Sequence, residues 1–177
     1  IVTLLAVLAL TASCCGSKPE KRVHKLLMDR MLTLSVAESC TGGSIASRFT
    51  AMPGASAYFK GGVVTYWNQT KSLLLNVSAD TIARYGVVSE QVVRQMAEGA
   101  RHAVDTHYAI ATTGMAGPSG GTPEIPIGTV WIAVSSPDRT VTRLIHIKGN
   151  RDRVIREAGS AVIELLEEEL TGEYGTR

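Results

Sequence analysis

The chemistry in this chain concentrates at Ala37-Glu38-Ser39-Cys40-Thr41-Gly42-Gly43. An apolar run, Leu34 to Ala37, leads in, and a helix-like run starts at Ser44. A strand–turn–helix of this kind can hold an anion on a helix N-terminus or set a nucleophile beside an oxyanion site. A plainer reading is also open: Ser39 and Thr41 serve as N-caps and the glycines only make the turn. No histidine lies near the turn. His24, His102 and His107 fall on or near helices and His146 in a strand, which argues against a Ser-His-Asp triad. A serine can instead be activated by a lysine whose ammonium is desolvated. Tyr66 and Lys71 sit across a strand-to-helix turn, where both could face one pocket. Their plain alternatives are a strand-end packing residue and a solvated helix lysine. Cys40, at the helix start, is a competing nucleophile, but no histidine accompanies it and a small, buried, inert thiol is the preferred reading. No His/Cys/Asp cluster has metal-site spacing, so neither metal nor cofactor is expected.

The surrounding pattern reads αβαβαααβββα. A helix spans Val23 to Arg30, a strand Thr33 to Ala37, and a helix Ser44 to Thr50, broken at Pro53-Gly54. Gly61-Gly62 precede a β-branched strand, Val63 to Tyr66. Asn68, Ser78, Ser89 and Asn150 are each placed to cap a helix. Tyr108 to Thr112, Thr129 to Ser135 and Thr140 to Ile147 read as strands, with a Gly- and Pro-rich loop at 113–128. Val154, Ile155, Ala158, Val162, Leu165 and Leu166 form the buried stripe of the last helix. Several strands are apolar enough to be covered on both faces. The expected fold is α/β, a three-layer α/β/α sandwich with a mixed, mostly parallel central sheet. Ligands of such sheets bind beyond the strand ends, where the loops at 37–43, 66–71 and 113–128 would converge.

The 177 residues suit one domain with a sizeable core. Apolar content of 45% and charged content of 19% mark a globular chain, and a net charge of +2 is too small for a nucleic-acid footprint. Ile1 to Ala12 is almost wholly apolar, too short to span a membrane as a helix but similar to the core of a secretion signal. Residues 1–20 are therefore read as a leader and linker and 21–177 as a single domain. A retained leader would mean export or a lipid anchor at Cys14 or Cys15; a misassigned start is the other reading.

Taken together, several ordered blocks resemble the C-terminal domain family of the competence/damage-inducible protein CinA. They are the 37–43 turn, Pro53-Gly54-Ala55-Ser56, Gly61 to Tyr66, Asn68 to Lys71, Gly86 to Glu90, Met96 to Ala100, Thr113 to Pro118, Gly120 to Glu124 and Pro126 to Trp131. The resemblance implies a nicotinamide mononucleotide deamidase, a serine–lysine amidohydrolase that needs no metal or cofactor. It would make Ser39 the nucleophile, Lys71 the general base and Tyr66 a proton relay or orienting hydroxyl. The implied substrate-binding set is Thr41, Gly42, Gly43, Asn68, Thr113 and Arg151, with Arg153 and Arg156 close to the last. Amides near Thr41-Gly42-Gly43 would hold the oxyanion. It also implies a cytoplasmic homo-oligomer, acting on a small molecule and not on nucleic acid, here without the family's N-terminal domain. Trp67 departs from the family, which often has a small residue there. A non-catalytic nucleotide-binding module is the alternative function, and a DNA-associated factor a weaker one.

Overall fold

The computed structural model describes residues 18–172. The leader, with Cys14 and Cys15, lies outside the described residues. Helix α1 (Pro19–Asp29) starts four residues before the sequence pattern indicates, with Pro19 in the first turn where its missing N–H costs nothing. Strand β1 (Leu34–Glu38) is buried along its whole length. Helix α2 (Ser44–Thr50) and a 3₁₀ turn (Ala55–Ala57) lead to β2 (Phe59–Val64). Then come α3 (Asn68–Leu75), α4 (Ala79–Tyr85) and α5 (Glu90–Val104). Strands β3 (Tyr108–Gly114), β4 (Thr129–Ser135) and β5 (Thr140–His146) precede the long α6 (Arg151–Thr171).

The sheet order is β2-β1-β3-β4-β5. β1 lies parallel to both β2 and β3, while β4 runs against its neighbours β3 and β5, so four of the five strands point one way. The expected mixed, mostly parallel sheet is the one found. Strand alternation divides the core into two layers. Val36, Ile110, Ile132 and Val134 turn toward α1, α2 and α6. Ala37, Ala109, Ala111 and Ala133 turn toward α5, whose Val92, Val93, Met96 and Ala97 pack on them. On the α6 side Val162, Ile163, Leu165 and Leu166 are fully buried, each worth roughly 2 kcal/mol of apolar burial.

Strand β2 departs from the sequence pattern. It begins at Phe59 and ends at Val64, so Tyr66 lies in the loop beyond it. Gly61-Gly62 are within the strand and not before it. Gly62 pairs with Val36, and a Cβ there would lie 2.4 Å from Val36 Cγ2, so the glycine permits close strand contact rather than a turn. Gly99 likewise permits a close approach. A Cβ there would lie 2.0 Å from the Leu75 carbonyl oxygen, so its absence lets α5 approach the end of α3. The parallel strands β1, β2 and β3 all end at one edge of the sheet, at Glu38, Val64 and Gly114, and the loops leaving them meet there.

Candidate active site

Ser39 follows β1 directly, and its N–H still donates to the Thr112 carbonyl of β3 (3.1 Å). The turn after it is organised by Glu38. This carboxylate is fully buried and accepts from the backbone N–H groups of Gly43 (2.9 Å), Ile45 (3.1 Å) and Ala46 (2.8 Å). It thus satisfies the first amides of α2 and sets negative charge at the helix's positive end. The plain N-cap reading of Ser39 and Thr41 does not hold. The cap residue is Gly43, in the left-handed region at φ 97° with no side-chain cap bond. The Thr41 hydroxyl is instead bonded to that of Thr112 (2.8 Å) in the interior. We expect Glu38→Gln to lower unfolding stability by about 2–4 kcal/mol, read from urea melts. An amide nitrogen would face N–H groups where the carboxylate oxygen now accepts.

Lys71 sits on the inner face of α3 with Leu75, one turn on, and is 1% exposed. Its Nζ donates to the Thr65 carbonyl (2.6 Å) and to Ser39 Oγ (3.2 Å). Burial pulls its pKa below the ordinary lysine value, opposed in part by the nearby Cys40. The solvated-lysine alternative is excluded by this placement. Cys40 behaves in the opposite way: burial pushes its thiol up to about 11, so it stays protonated near neutral pH.

A cleft of about 300 Å³ opens over this pair, lined by Ser39, Tyr66, Asn68, Lys71, Thr113 and Arg151, with the backbone at 114–117 as a further wall. The Arg151 guanidinium crosses it. Nη2 donates to the Tyr66 hydroxyl (2.8 Å) and Nη1 to the Gly117 carbonyl (2.7 Å). Asn150 caps α6 by accepting from the Arg153 N–H, which fixes where Arg151 enters the cleft. Arg153 pairs along the helix with Glu157 (2.6 Å), and Arg156 lines a separate recess beside Arg48. The Thr113 hydroxyl donates to the Val87 carbonyl (2.7 Å), tying the end of β3 to the segment before α5.

Six of the nine predicted site residues therefore meet in one cleft. Thr41, Gly42 and Gly43 do not line it. The Gly42 N–H donates to the Ser39 carbonyl (3.2 Å) and the Gly43 N–H to Glu38, so these amides are spent inside the turn. Two contributors have little or no sequence signal. Glu38 is visible as a carboxylate in the turn, but its capping role needs the fold. The Thr65 carbonyl that holds Lys71 has no side-chain signal. No group of three or more His, Cys, Asp and Glu able to hold a metal occurs among the described residues. No described helix is long and apolar enough to cross a membrane.

The family model for the CinA C-terminal domain matches residues 16–170. The chain belongs to this family. A CinA-like protein of Shewanella amazonensis is 43% identical over 155 residues, which cover 87% of this chain and 37% of that relative. One from Citrifermentans bemidjiense is 49% identical over 135 residues, 76% of this chain and 33% of the relative. The chain thus spans about a third of the length of the curated relatives it matches. Among solved structures, a CinA superfamily protein of Klebsiella pneumoniae superposes with a TM-score of 0.84 at 34% identity, covering 87% of this chain and 96% of that one. The competence/damage-inducible protein CihA of Agrobacterium tumefaciens gives 0.82 at 33% identity, covering 88% and 97%. The CinA domain fold thus accounts for nearly all of these shorter chains, as it does for the described residues here.

Proposed function

We propose that this CinA domain is an amidohydrolase that converts nicotinamide mononucleotide to nicotinate mononucleotide and ammonia. The observation that carries the reading is the buried Lys71 ammonium, 3.2 Å from Ser39 Oγ, at the floor of a cleft with a cation on its rim. Desolvation favours neutral Lys71, which can take the Ser39 proton as the hydroxyl oxygen attacks the carboxamide carbon. The cationic pyridinium ring withdraws electrons from that carbonyl and helps the attack. The tetrahedral intermediate collapses as Lys71 returns the proton to the departing nitrogen. Ammonia leaves and an ester links Ser39 to the nicotinoyl group. Water, deprotonated by Lys71, then attacks the ester, and the Ser39 oxygen recovers its proton.

The oxyanion donors shift from those the family resemblance implied. With the Gly42 and Gly43 amides engaged and Thr41 off the cleft wall, the donor in this mechanism is the N–H of Cys40, which lines the cleft. Such a donor contributes about 3 kcal/mol in related chemistry. Tyr66 acts here as an orienting hydroxyl: its oxygen accepts from Arg151 and steadies the guanidinium for the 5′-phosphate.

The test of the reaction is ammonia release from nicotinamide mononucleotide, followed together with formation of the nicotinate product. A folded protein that binds the mononucleotide and releases no ammonia would leave only the binding-module alternative. We further expect Arg151→Ala to raise KM at least about tenfold, since loss of a charge-assisted phosphate contact is worth roughly 1.5–3 kcal/mol. Arg153→Ala, measured beside it, should change KM less than about twofold, because Arg153 is committed to Glu157.

A further inference from the structure

A second recess of about 480 Å³ lies against the catalytic cleft, walled by Tyr66, Trp67, Asn68 and Gln69. Tyr66 and Asn68 belong to both hollows, so the two adjoin and share this wall. Trp67 is 67% exposed. Its Nε1 donates to Gln69 Oε1, which fixes the ring's edge and leaves its face open. That bond uses the Gln69 oxygen and leaves the Gln69 NH₂ group to donate elsewhere. The Asn68 side-chain amide makes no hydrogen bond among the described residues. The recess therefore combines an aromatic face with two side-chain amides and contains no carboxylate. Aromatic faces stack nucleobases, and Asn and Gln amides pair with the donor–acceptor edge of adenine. Arg151, bonded to the Tyr66 hydroxyl on the shared wall, stands where an anionic linker would cross from one hollow to the other.

We infer that this recess is a second subsite of the same active site, one that takes the purine base of a pyridine dinucleotide. The inference rests on the amidase reading for the orientation of the ligand: nicotinamide over Ser39, pyrophosphate at Arg151, purine on Trp67. The dinucleotide is then a substrate too. Its carboxamide C–N bond breaks, a C–O bond forms from water, and ammonia leaves, with the pyrophosphate intact.

The probe is NAD⁺, compared with nicotinamide mononucleotide. Binding is measured by calorimetry on the full chain carrying Ser39→Ala, with and without Trp67→Ala, and turnover on the chain with Ser39 intact. Loss of the stacking face should weaken NAD⁺ binding about tenfold or more. The ratio of kcat/KM for NAD⁺ to that for the mononucleotide should fall by a similar factor. NAD⁺ binding that ignores Trp67→Ala, or no NAD⁺ binding at all, overturns the subsite. So does concentration-dependent self-association that Trp67→Ala abolishes, since the recess would then be covered by a second copy. Trp67-dependent NAD⁺ binding with no ammonia from either nucleotide supports the subsite and removes the amidase reading.

Discussion

Replacing Ser39 by Ala is expected to lower ammonia release from nicotinamide mononucleotide by at least about 10⁴-fold, the scale set by removal of a serine nucleophile in other hydrolases. The variant should remain folded, because the Ser39 hydroxyl is bonded to Lys71 while the turn is held by backbone and by Glu38. Its melting temperature should therefore change little, and substrate binding should survive. The measurement is single-turnover product formation on protein whose unfolding transition matches that of the parent. Full activity in Ser39→Ala would pass the nucleophile to Cys40. That outcome is disfavoured physically. The Cys40 thiol is buried and its pKa pushed up to about 11, so only a minute fraction is thiolate at neutral pH. No histidine stands beside it to take its proton, whereas Ser39 has Lys71 within hydrogen-bond distance.

The parts of this site that are legible in the sequence are those in which one residue type has one local job. Ser78, Ser89 and Asn150 cap their helices through side-chain oxygens, as their positions before helical runs indicate, whereas Asn68 does not: it is the first residue of α3, whose cap is Trp67 with no side-chain cap bond. The β4 boundaries follow from an apolar run between a Gly-containing turn and Pro137. Legibility fails where partners lie far apart in the chain. Gly61-Gly62 looks like a turn because glycine usually marks one, and only the closeness of Val36 on the neighbouring strand explains a glycine inside β2. Lys71 is ambiguous by itself. Its burial is decided by where α3 lies relative to β1, beneath a carbonyl 6 residues earlier and a hydroxyl 32 residues earlier. The Tyr66–Arg151 contact spans 85 residues and has no local signal. Glu38 is the clearest case: the acid is adjacent to Ser39 in sequence, yet its carboxylate turns away to hold the start of α2. Proximity in sequence therefore marks Glu38 as part of the site without revealing that its carboxylate positions the turn.

Lys71→Met is expected to reduce kcat by at least about 10³-fold, within the range general-base loss gives, and to change the pH response of both rate and stability. Only neutral Lys71 can accept the Ser39 proton. Because burial lowers its pKa, kcat/KM of the parent should rise with pH through a single ionisation below 10.5, the ordinary lysine value. The residual activity of Lys71→Met should lack that step. Stability follows from the same shift. Between the lowered native pKa and 10.5 the unfolded chain carries a proton at this position that the native chain has released. Unfolding free energy therefore rises with pH across that window. Below the native pKa both states are protonated, and the full penalty for a buried ammonium is present. Denaturant melts of the parent and of Lys71→Met over about pH 7 to 10 isolate this contribution, since the remaining titratable groups are common to both. The parent should gain on the variant as pH increases. A constant difference across the range would mean that Lys71 titrates as an ordinary lysine, and the base of the proposed mechanism would then have to be sought elsewhere. If the kinetic ionisation and the stability window coincide, one buried amine both destabilises the fold near neutral pH and supplies the base, which is the compromise expected of a residue retained for chemistry rather than for packing.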